Sequence, residues 1–286
     1  EAMAEMFQNW NEGQLSSYLS EITVKILLEK DVSNPDDYLL SSDEPEELAH
    51  AVREYGVQEN SPYILDHILD ISRQKGTGRW TNEEGLALGV DLSVLASGLN
   101  ARYISMHKSL RVLAAETLEV YPVEEKSFSI SIEEIKQAFL AARVMAYTQG
   151  FALYRAAAKA YQWNLNYGAI AATFREGCII RSALLNPIMR AYDENPELEN
   201  LLLADEFQEI MAHALPSLRK FTAVGVSSGY PLPAFSASVS YYDQIRCGRS
   251  SANLIQGLRD FFGAHTFQRT DRHGIFHHDW PLEEEV

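Results

Sequence analysis

Cysteine is scarce in this sequence. Only two cysteines, Cys178 and Cys247, occur among its 286 residues. Two thiols cannot build the disulfide framework of a small secreted domain, and no Cys-x-x-Cys pair or Cys/His ligand spacing indicates a zinc site. A reducing compartment is the economical interpretation, and we expect a cytoplasmic protein.

Basic residues and long apolar runs are also few. The chain carries 24 lysines and arginines against 40 aspartates and glutamates, which gives a formal net charge of -16. Nucleic acid and acidic membrane surfaces would repel such a protein, so we expect neither as a partner. No run of about 18 apolar residues could span a membrane, and the N-terminal "EAMAEMFQNW" lacks the pattern of a signal peptide. An anionic ligand would therefore need a local basic cluster.

Self-contained catalytic and nucleotide-binding motifs are missing as well. No G-x-G-x-x-G follows a strand pattern, and in "QKGTGRW" the lysine precedes the glycines, so the segment is not a Walker loop. There is no G-x-S-x-G elbow, and neither cysteine has a neighbouring histidine. The tail "DRHGIFHHDW" could supply metal ligands but lacks H-E-x-x-H geometry, so we favour a surface or interface tail and predict no metal site.

Helical periodicity is what the sequence does contain. Ser131 and Glu134 form a predicted capping box at the start of a long helix. Apolar residues then recur every three or four positions, and alanines fill the other faces, so this central helix should be buried on more than one side. The recurring residues are Val144, Tyr147, Phe151, Tyr154, Ala158 and Tyr161.

Other helix signals agree with this pattern. Thr81 with Glu84, and Asn195 followed by Pro196, predict two further helix starts. Pro216 should kink a helix that runs from about Asp205, because proline interrupts the hydrogen-bond ladder. The stretch from about residue 33 to 62 is acidic and rich in turn residues, and it is interpreted as a surface excursion within one domain.

A weak internal repeat suggests two diverged helical halves. "FQNWNEGQLSSYL" from Phe7 aligns with "AATFREGCIIRSAL" from Ala171, and "GVDLSVLASGL" from Gly89 echoes "GYPLPAFSASV" from Gly229. Chance similarity between alanine-rich helices is the alternative. The second copy follows the long helix whereas the first begins almost at residue 1, so we expect an N-terminally truncated part of a longer protein.

A few cations stand beside small or hydroxyl side chains, which suits phosphate. They are Lys75, Thr77 and Arg79 in "QKGTGRWT", Arg102 in "LNARYIS", and Arg259 with His265 in "LRDFFGAHTF". Each could equally be a solvated surface charge or a histidine satisfied in the core. Spacing alone leaves both interpretations open.

Four segments in order resemble the C-terminal domain of the 6-phosphogluconate dehydrogenase family: "QKGTGRWT", "FREGCIIRS", "NPELENLLL" and "LIQGLRDFFGAHTF". The resemblance implies an all-α domain of two diverged helical repeats over residues 1–265 and a C-terminal tail over 266–286. It also implies a preceding Rossmann domain that binds NADP, and catalytic residues that lie upstream of Glu1. The residues that choose between NADP and NAD are expected there too.

The resemblance further implies a substrate site for 6-phosphogluconate. Lys75, Thr77 and Arg102 match family ligands of the substrate phosphate, while Arg259 and His265 match residues that reach into the partner subunit of a homodimer. Some neighbours depart from the family pattern: Asn100 and Phe261 replace aromatic residues, and Arg79 replaces a lysine.

The implied activity is oxidative decarboxylation of 6-phospho-D-gluconate to D-ribulose 5-phosphate and CO2 with reduction of NADP. This chain would be the substrate-binding and dimerisation part and would be inactive alone. The alternatives are a helical dimerisation fragment without activity and a related β-hydroxyacid dehydrogenase.

Overall fold

The computed structural model describes residues 1–31, 61–121 and 129–280. The chain divides into two compact units, Glu1–Tyr241 and Tyr242–Val286. Almost all regular structure in the described residues is helical, which confirms the predicted all-α class. The predicted boundary between residues 265 and 266 stays a prediction, and the predicted acidic excursion at 33–62 lies almost wholly outside the described residues.

The first unit contains most of the helices. They are α1 (Ala2–Trp10), α2 (Tyr18–Leu28), α3 (Thr77–Leu88), α4 (Ser93–Met106), α5 (Lys108–Thr117), α6 (Ile132–Tyr161), α7 (Tyr167–Thr173), α8 (Leu185–Glu194) and α9 (Asp205–Ser227). Two short 3-10 helices, Ile64–His67 and Leu201–Leu203, lie between them. Helix α10 (Pro233–Ile245) begins in the first unit and ends in the second.

The second unit is built on one helix and a short ribbon. Helix α11 spans Ala252–Gly263, and strand β1 (Phe267–Gln268) pairs antiparallel with β2 (Ile275–Phe276). In the part of the chain that the structure describes, no helix is both long enough and apolar enough to cross a membrane.

Helix α6 is the centre of the first unit, as the sequence predicted. The capping box is confirmed: the Glu134 amide donates to Ser131 Oγ at 3.2 Å, and the Ser131 amide donates to Glu134 Oε2 at 2.8 Å. Val144, Phe151 and Ala158 are buried, and so are residues on other faces of the helix, whereas Tyr161 at the end of the helix is 48% exposed. Helix α9 makes the most extensive contact with α6, so these two long helices form the core of the unit.

Two predicted helix starts are wrong. Helix α3 already begins at Thr77, and Thr81 lies inside it with its hydroxyl donating to the Thr77 carbonyl at 2.9 Å. Asn195 ends α8 and accepts a hydrogen bond from the Glu197 amide at 3.1 Å, so its side chain forms a turn that does not begin a helix. Helix α9 continues through Pro216, and a kink there stays a prediction.

The predicted repeat has a structural counterpart where α3 and α9 end. Gly89 follows α3 with φ 67°, and Gly229 follows the end of α9 with φ 77°. At both positions the backbone adopts the left-handed conformation that favours glycine. The amide after Gly89 donates to the Gly85 carbonyl at 2.8 Å, and the amide after Gly229 donates to the Gly225 carbonyl at 2.9 Å. The same turn therefore ends both helices.

A leucine presses on the helix in both copies of this turn. A Cβ atom on Gly85 would lie 2.4 Å from Leu92 Cδ1, and one on Gly225 would lie 2.1 Å from Leu232 Cδ1. Only glycine lets each leucine approach so closely. The other pair of repeat segments meets directly, because Ser17 and Ser182 form an isolated antiparallel bridge.

Candidate functional site

The segment that leads into α3 is held by an aspartate. Asp70 Oδ1 lies 2.8 Å from Lys108 Nζ, and Asp70 Oδ2 accepts from Arg111 Nη1 at 2.9 Å. Arg111 Nη2 also donates to the Asp70 carbonyl at 3.0 Å. Hydrogen bonds from Arg111 and Lys108 lower the pKa of Asp70 to about 2, although partial burial opposes the shift. Residues 69–75 have no regular structure, so α5 supplies their anchor.

A second set of contacts brings Arg102 to the same segment. Arg102 Nε donates to Ser72 Oγ at 3.1 Å, and the Ser72 amide donates to Ser105 Oγ at 2.9 Å. Ser105 Oγ in turn donates to the Arg102 carbonyl at 2.7 Å. This closed set of bonds places Arg102 against the loop that carries Lys75 and Thr77.

Gly76 shapes the loop immediately before α3. Its φ of 117° is costly for other residues, and a Cβ atom there would lie 2.9 Å from Trp80 Cζ2. The Gly76 amide donates to Gln74 Oε1 at 2.5 Å. Lys75 and Thr77 are exposed on either side of this glycine, and Thr77 is the first residue of the helix. A helix N-terminus has free amides and a favourable dipole for an anion, so the position suits a phosphate.

Helix α4, which carries Arg102, is itself held by the central helix. Gln149 of α6 is fully buried, and its Oε1 accepts from the amides of Val94 at 3.0 Å and Leu95 at 3.4 Å. Gln149 Nε2 donates to Ser93 Oγ at 3.1 Å. The glutamine therefore caps α4 in place of a local N-cap side chain.

Arg79 lies in the first turn of α3 and is already paired with an acidic neighbour. Its Nε lies 3.4 Å from Glu83 Oε1 within α3. The guanidinium of Arg79 is therefore paired with a carboxylate four residues along the same exposed helix face. Arg79 thus provides a nearby cation against which the proposed ligands can be compared.

In the second unit, Arg259 and His265 lie at the end of α11. Arg259 Nη1 donates to Gln256 Oε1 at 3.0 Å, and both predicted residues are exposed. His265 stands between Ala264 with φ 48° and Thr266 with φ 61°. These two residues in the left-handed region, one on each side of His265, define a sharp turn on which the imidazole is exposed. A cavity of about 480 Å³ opens beside this turn.

A buried carboxylate holds the tail against α11. Asp260 is fully buried and accepts hydrogen bonds from the Thr266 amide and His277 Nδ1 on one oxygen, and from the His278 amide and Trp280 Nε1 on the other. Burial alone would raise the pKa of Asp260, but these bonds hold the pKa below its usual value. The tail histidines are thus partly engaged with this carboxylate. Within residues 1–31, 61–121 and 129–280, no group of three or more His, Cys, Asp or Glu side chains could hold a metal ion.

The five predicted site residues therefore fall into two groups. Lys75, Thr77 and Arg102 share one corner of the first unit, and Arg259 and His265 share one turn of the second. Sequence reasoning missed the residues that hold each group. Asp70 and Arg111 are separated by 41 positions, and Asp260 and Trp280 by 20, so no local pattern marks these contacts.

An apolar groove of about 340 Å³ also runs along α6 in the first unit. Arg181 and Arg143 both line this groove and are half-buried, and Arg181 Nη2 donates to Glu21 Oε2 at 2.8 Å. Arg143 donates to the Leu15 carbonyl at 2.9 Å and to Ser20 Oγ at 3.3 Å. Burial lowers the pKa of Arg143. Because both guanidinium groups are already engaged, the groove suits apolar contacts better than a phosphate.

Comparison with known proteins gives a consistent result. The family model described as "6-phosphogluconate dehydrogenase, C-terminal domain" matches residues 1–280. The decarboxylating, NADP(+)-dependent 6-phosphogluconate dehydrogenase of Bacillus subtilis is 42% identical over 279 residues, which are 96% of this chain and 54% of that protein. The decarboxylating enzyme of Escherichia coli K12 is 41% identical over 98% of this chain and 54% of its own length.

A solved structure agrees with these sequence matches. Plasmodium falciparum 6-phosphogluconate dehydrogenase superimposes with a TM-score of 0.83 and 35% identity, over 97% of this chain and 55% of that one. The chain thus spans about half the length of the curated relatives it matches.

Proposed function

The chain belongs to the family of 6-phosphogluconate dehydrogenase C-terminal domains, and on that basis we propose that it is the substrate-binding and dimerisation part of such an enzyme. The proposed reaction is oxidative decarboxylation of 6-phospho-D-gluconate to D-ribulose 5-phosphate and CO2, with reduction of NADP. The chain alone should turn over nothing. A cytoplasmic location remains part of the proposal.

The contact between Arg102 and Ser72 carries this proposal. It joins α4 to the loop of Lys75 and Thr77, so that two cations and a hydroxyl come from one corner of an otherwise acidic protein. Charge-assisted hydrogen bonds from arginine and lysine suit a phosphate dianion, and the exposed start of α3 adds backbone amides. Binding the phosphate would fix the remote end of the sugar chain and so orient the carbon that reacts.

NADP does not fit the described residues as a cofactor held by them alone. They contain one two-stranded antiparallel ribbon and no strand followed by a glycine-rich turn and a helix, which is the arrangement that binds a dinucleotide. We propose that NADP is bound mainly by the part of the relatives' length that this chain does not match. No chemical step is therefore assigned to residues of this chain.

A homodimer with shared sites completes the proposal. Helix α11 exposes large apolar side chains, including Leu254, Leu258 and Phe262, which are 65%, 55% and 72% exposed. Such a surface is typical of an interface between subunits. Arg259 and His265 lie at the end of the same helix, so a subunit that docks through α11 could carry both residues into its partner's site.

The phosphate role is tested by substitution in the full-length protein. Arg102→Met and Lys75→Met should each raise the KM for 6-phosphogluconate by about 10- to 100-fold, because a hydrogen bond to a charged group contributes about 1.5–3 kcal/mol. Slow turnover of unphosphorylated gluconate should be unaffected. Arg79→Met is the matched control and should change the KM by less than about threefold. If all three substitutions raised the KM equally, loss of positive charge alone would explain the effect, and the proposed phosphate site would be contradicted.

Sharing of the site is tested by mixing variants. A heterodimer of Lys75→Met and Arg259→Ala subunits would contain one intact site if Arg259 acts on the partner. At a substrate concentration far below the KM of either variant, a fully exchanged mixture should then recover about a quarter of the wild-type activity, since half of the dimers are heterodimers with one site of two restored. No recovery after verified exchange would refute a contribution from the partner.

A further inference from the structure

Asp260 occupies an unusual position for a carboxylate. It is fully buried, and it lies on α11 directly after Arg259. Burying a charge is costly unless hydrogen bonds compensate for the lost water, and here four donors do so. These directional hydrogen bonds fix the positions of the segments that donate them, which an apolar side chain at position 260 would not do.

The two oxygens of Asp260 hold two different segments. Oδ1 accepts from the Thr266 amide at 2.9 Å and from His277 Nδ1 at 3.0 Å. Oδ2 accepts from the His278 amide at 3.1 Å and from Trp280 Nε1 at 2.9 Å. The carboxylate therefore fixes both the turn that carries His265 and the tail that returns to α11.

Gln256 joins the same turn to Arg259. Its Oε1 accepts from Arg259 Nη1 at 3.0 Å, and its Nε2 donates to the Thr266 carbonyl at 2.5 Å. Thr266 is thus held through its amide by Asp260 and through its carbonyl by Gln256. The side-chain amide of Gln256 therefore bonds to both Thr266 and the Arg259 guanidinium, and it couples the positions of these two groups.

We propose that Gln256 and Asp260 are positioning residues that set Arg259 and His265 in the orientation in which they meet the substrate. The proposal rests on the proposed function, in which Arg259 and His265 bind 6-phosphogluconate. Gln256 acts through Arg259 and the turn, and Asp260 acts through the turn and the tail. Neither residue is assigned a contact with substrate.

Kinetics of the full-length protein test this proposal. Gln256→Ala should raise the KM for 6-phosphogluconate by about 3- to 10-fold and leave both kcat and the KM for NADP within twofold, since the hydrogen bonds of Gln256 to Arg259 and to the Thr266 carbonyl are both lost. Asp260→Asn should have a larger effect, about 10- to 100-fold, because one amide cannot accept from all four donors. Gln8→Ala, at an exposed glutamine of α1, is the control for the substitution itself.

A double-mutant cycle separates positioning from a general loss of structure. In an Arg259→Ala background, Gln256→Ala should raise the KM by a smaller factor than in the wild type, because the Arg259 guanidinium, one of the two groups that Gln256 holds, is already missing. Fully additive effects would overturn the proposal. If Asp260→Asn loses the dimer or unfolds, the Gln256 cycle still decides the outcome.

The result also distinguishes the two proposals. If Arg259→Ala leaves the KM unchanged, the proposed contact of Arg259 with substrate fails, and the positioning of Arg259 by Gln256 fails with it. If Arg259→Ala raises the KM while Gln256→Ala has no effect in a stable dimer, the substrate role stands and the positioning role is refuted.

Discussion

Replacing Asp70 by asparagine tests how strongly the loop before α3 is anchored. Asparagine keeps the size of the side chain and removes its charge. Both carboxylate oxygens of Asp70 face cations, at 2.8 Å from Lys108 Nζ and 2.9 Å from Arg111 Nη1. The substitution would leave a neutral amide between them, and one of its two ends would present N–H groups to a cation.

The magnitude follows from the pKa of Asp70, which falls from the usual 3.8 to about 2. A shift of that size corresponds to roughly 2.5 kcal/mol for a fully buried group. The Asp70 side chain is 54% exposed, so solvent screening reduces the contribution to about 1 kcal/mol. We expect Asp70→Asn to lower the free energy of unfolding by about that amount at pH 7.

The sign of the pH dependence is determined by the lowered pKa. A carboxylate with a depressed folded-state pKa contributes its full stabilisation above the unfolded-state value, and the contribution disappears as pH falls through the folded-state value. The stability gap between wild type and Asp70→Asn should therefore be constant above about pH 5 and close as the pH approaches 2.

Urea denaturation followed by circular dichroism at several pH values measures this gap. Asp279→Asn, at an exposed aspartate of the tail, is the control and should change stability by less than about 0.5 kcal/mol. Equal stability of wild type and Asp70→Asn at pH 7 would refute the anchoring role. A gap that widens as pH falls would refute the electrostatic explanation.

Further predictions concern the turns and the cap of α4. Gly85→Ala and Gly225→Ala should each destabilise the protein by about 1–3 kcal/mol in urea denaturation, because the added methyl group overlaps a leucine. Gly98→Ala, where no atom lies within 4 Å of the new Cβ, should stabilise α4 by up to about 1 kcal/mol, and equal effects at all three glycines would contradict the packing argument. Gln149→Leu should lower the unfolding free energy by about 2–3 kcal/mol, since it leaves buried amides unpaired, and an unchanged melting temperature would disprove the cap.

The predictions from sequence were most accurate for structural features that depend on residues close together in the chain. The Ser131 capping box and the periodicity of α6 involve positions three or four apart, and both are confirmed. The same local pattern misled at Thr81 and Asn195, because a capping signature can also occur inside a helix or serve a turn at its end. Local chemistry permits several uses of one side chain, and only tertiary contacts select among them.

The candidate site shows the other limit of sequence reasoning. Lys75 and Thr77 could be selected as phosphate ligands from residue type, but their connection to Arg102 came only from resemblance to a family. The contact through Ser72 spans 30 positions and depends on how α4 packs. Gln149 acts on α4 from 55 positions away, and no spacing in the sequence signals it.

The backbone conformation around His265 affects both the stability of the folded protein and the affinity for substrate, in opposite directions. Ala264 and Thr266 both adopt positive φ values without being glycine, which costs free energy that a glycine would not incur. A glycine at position 264 would relieve this cost in the folded protein, but it would also let the imidazole sample more directions before a ligand arrives. A more stable variant of this turn should then bind more weakly, so directed evolution for thermostability and for substrate affinity would favour different residues at position 264.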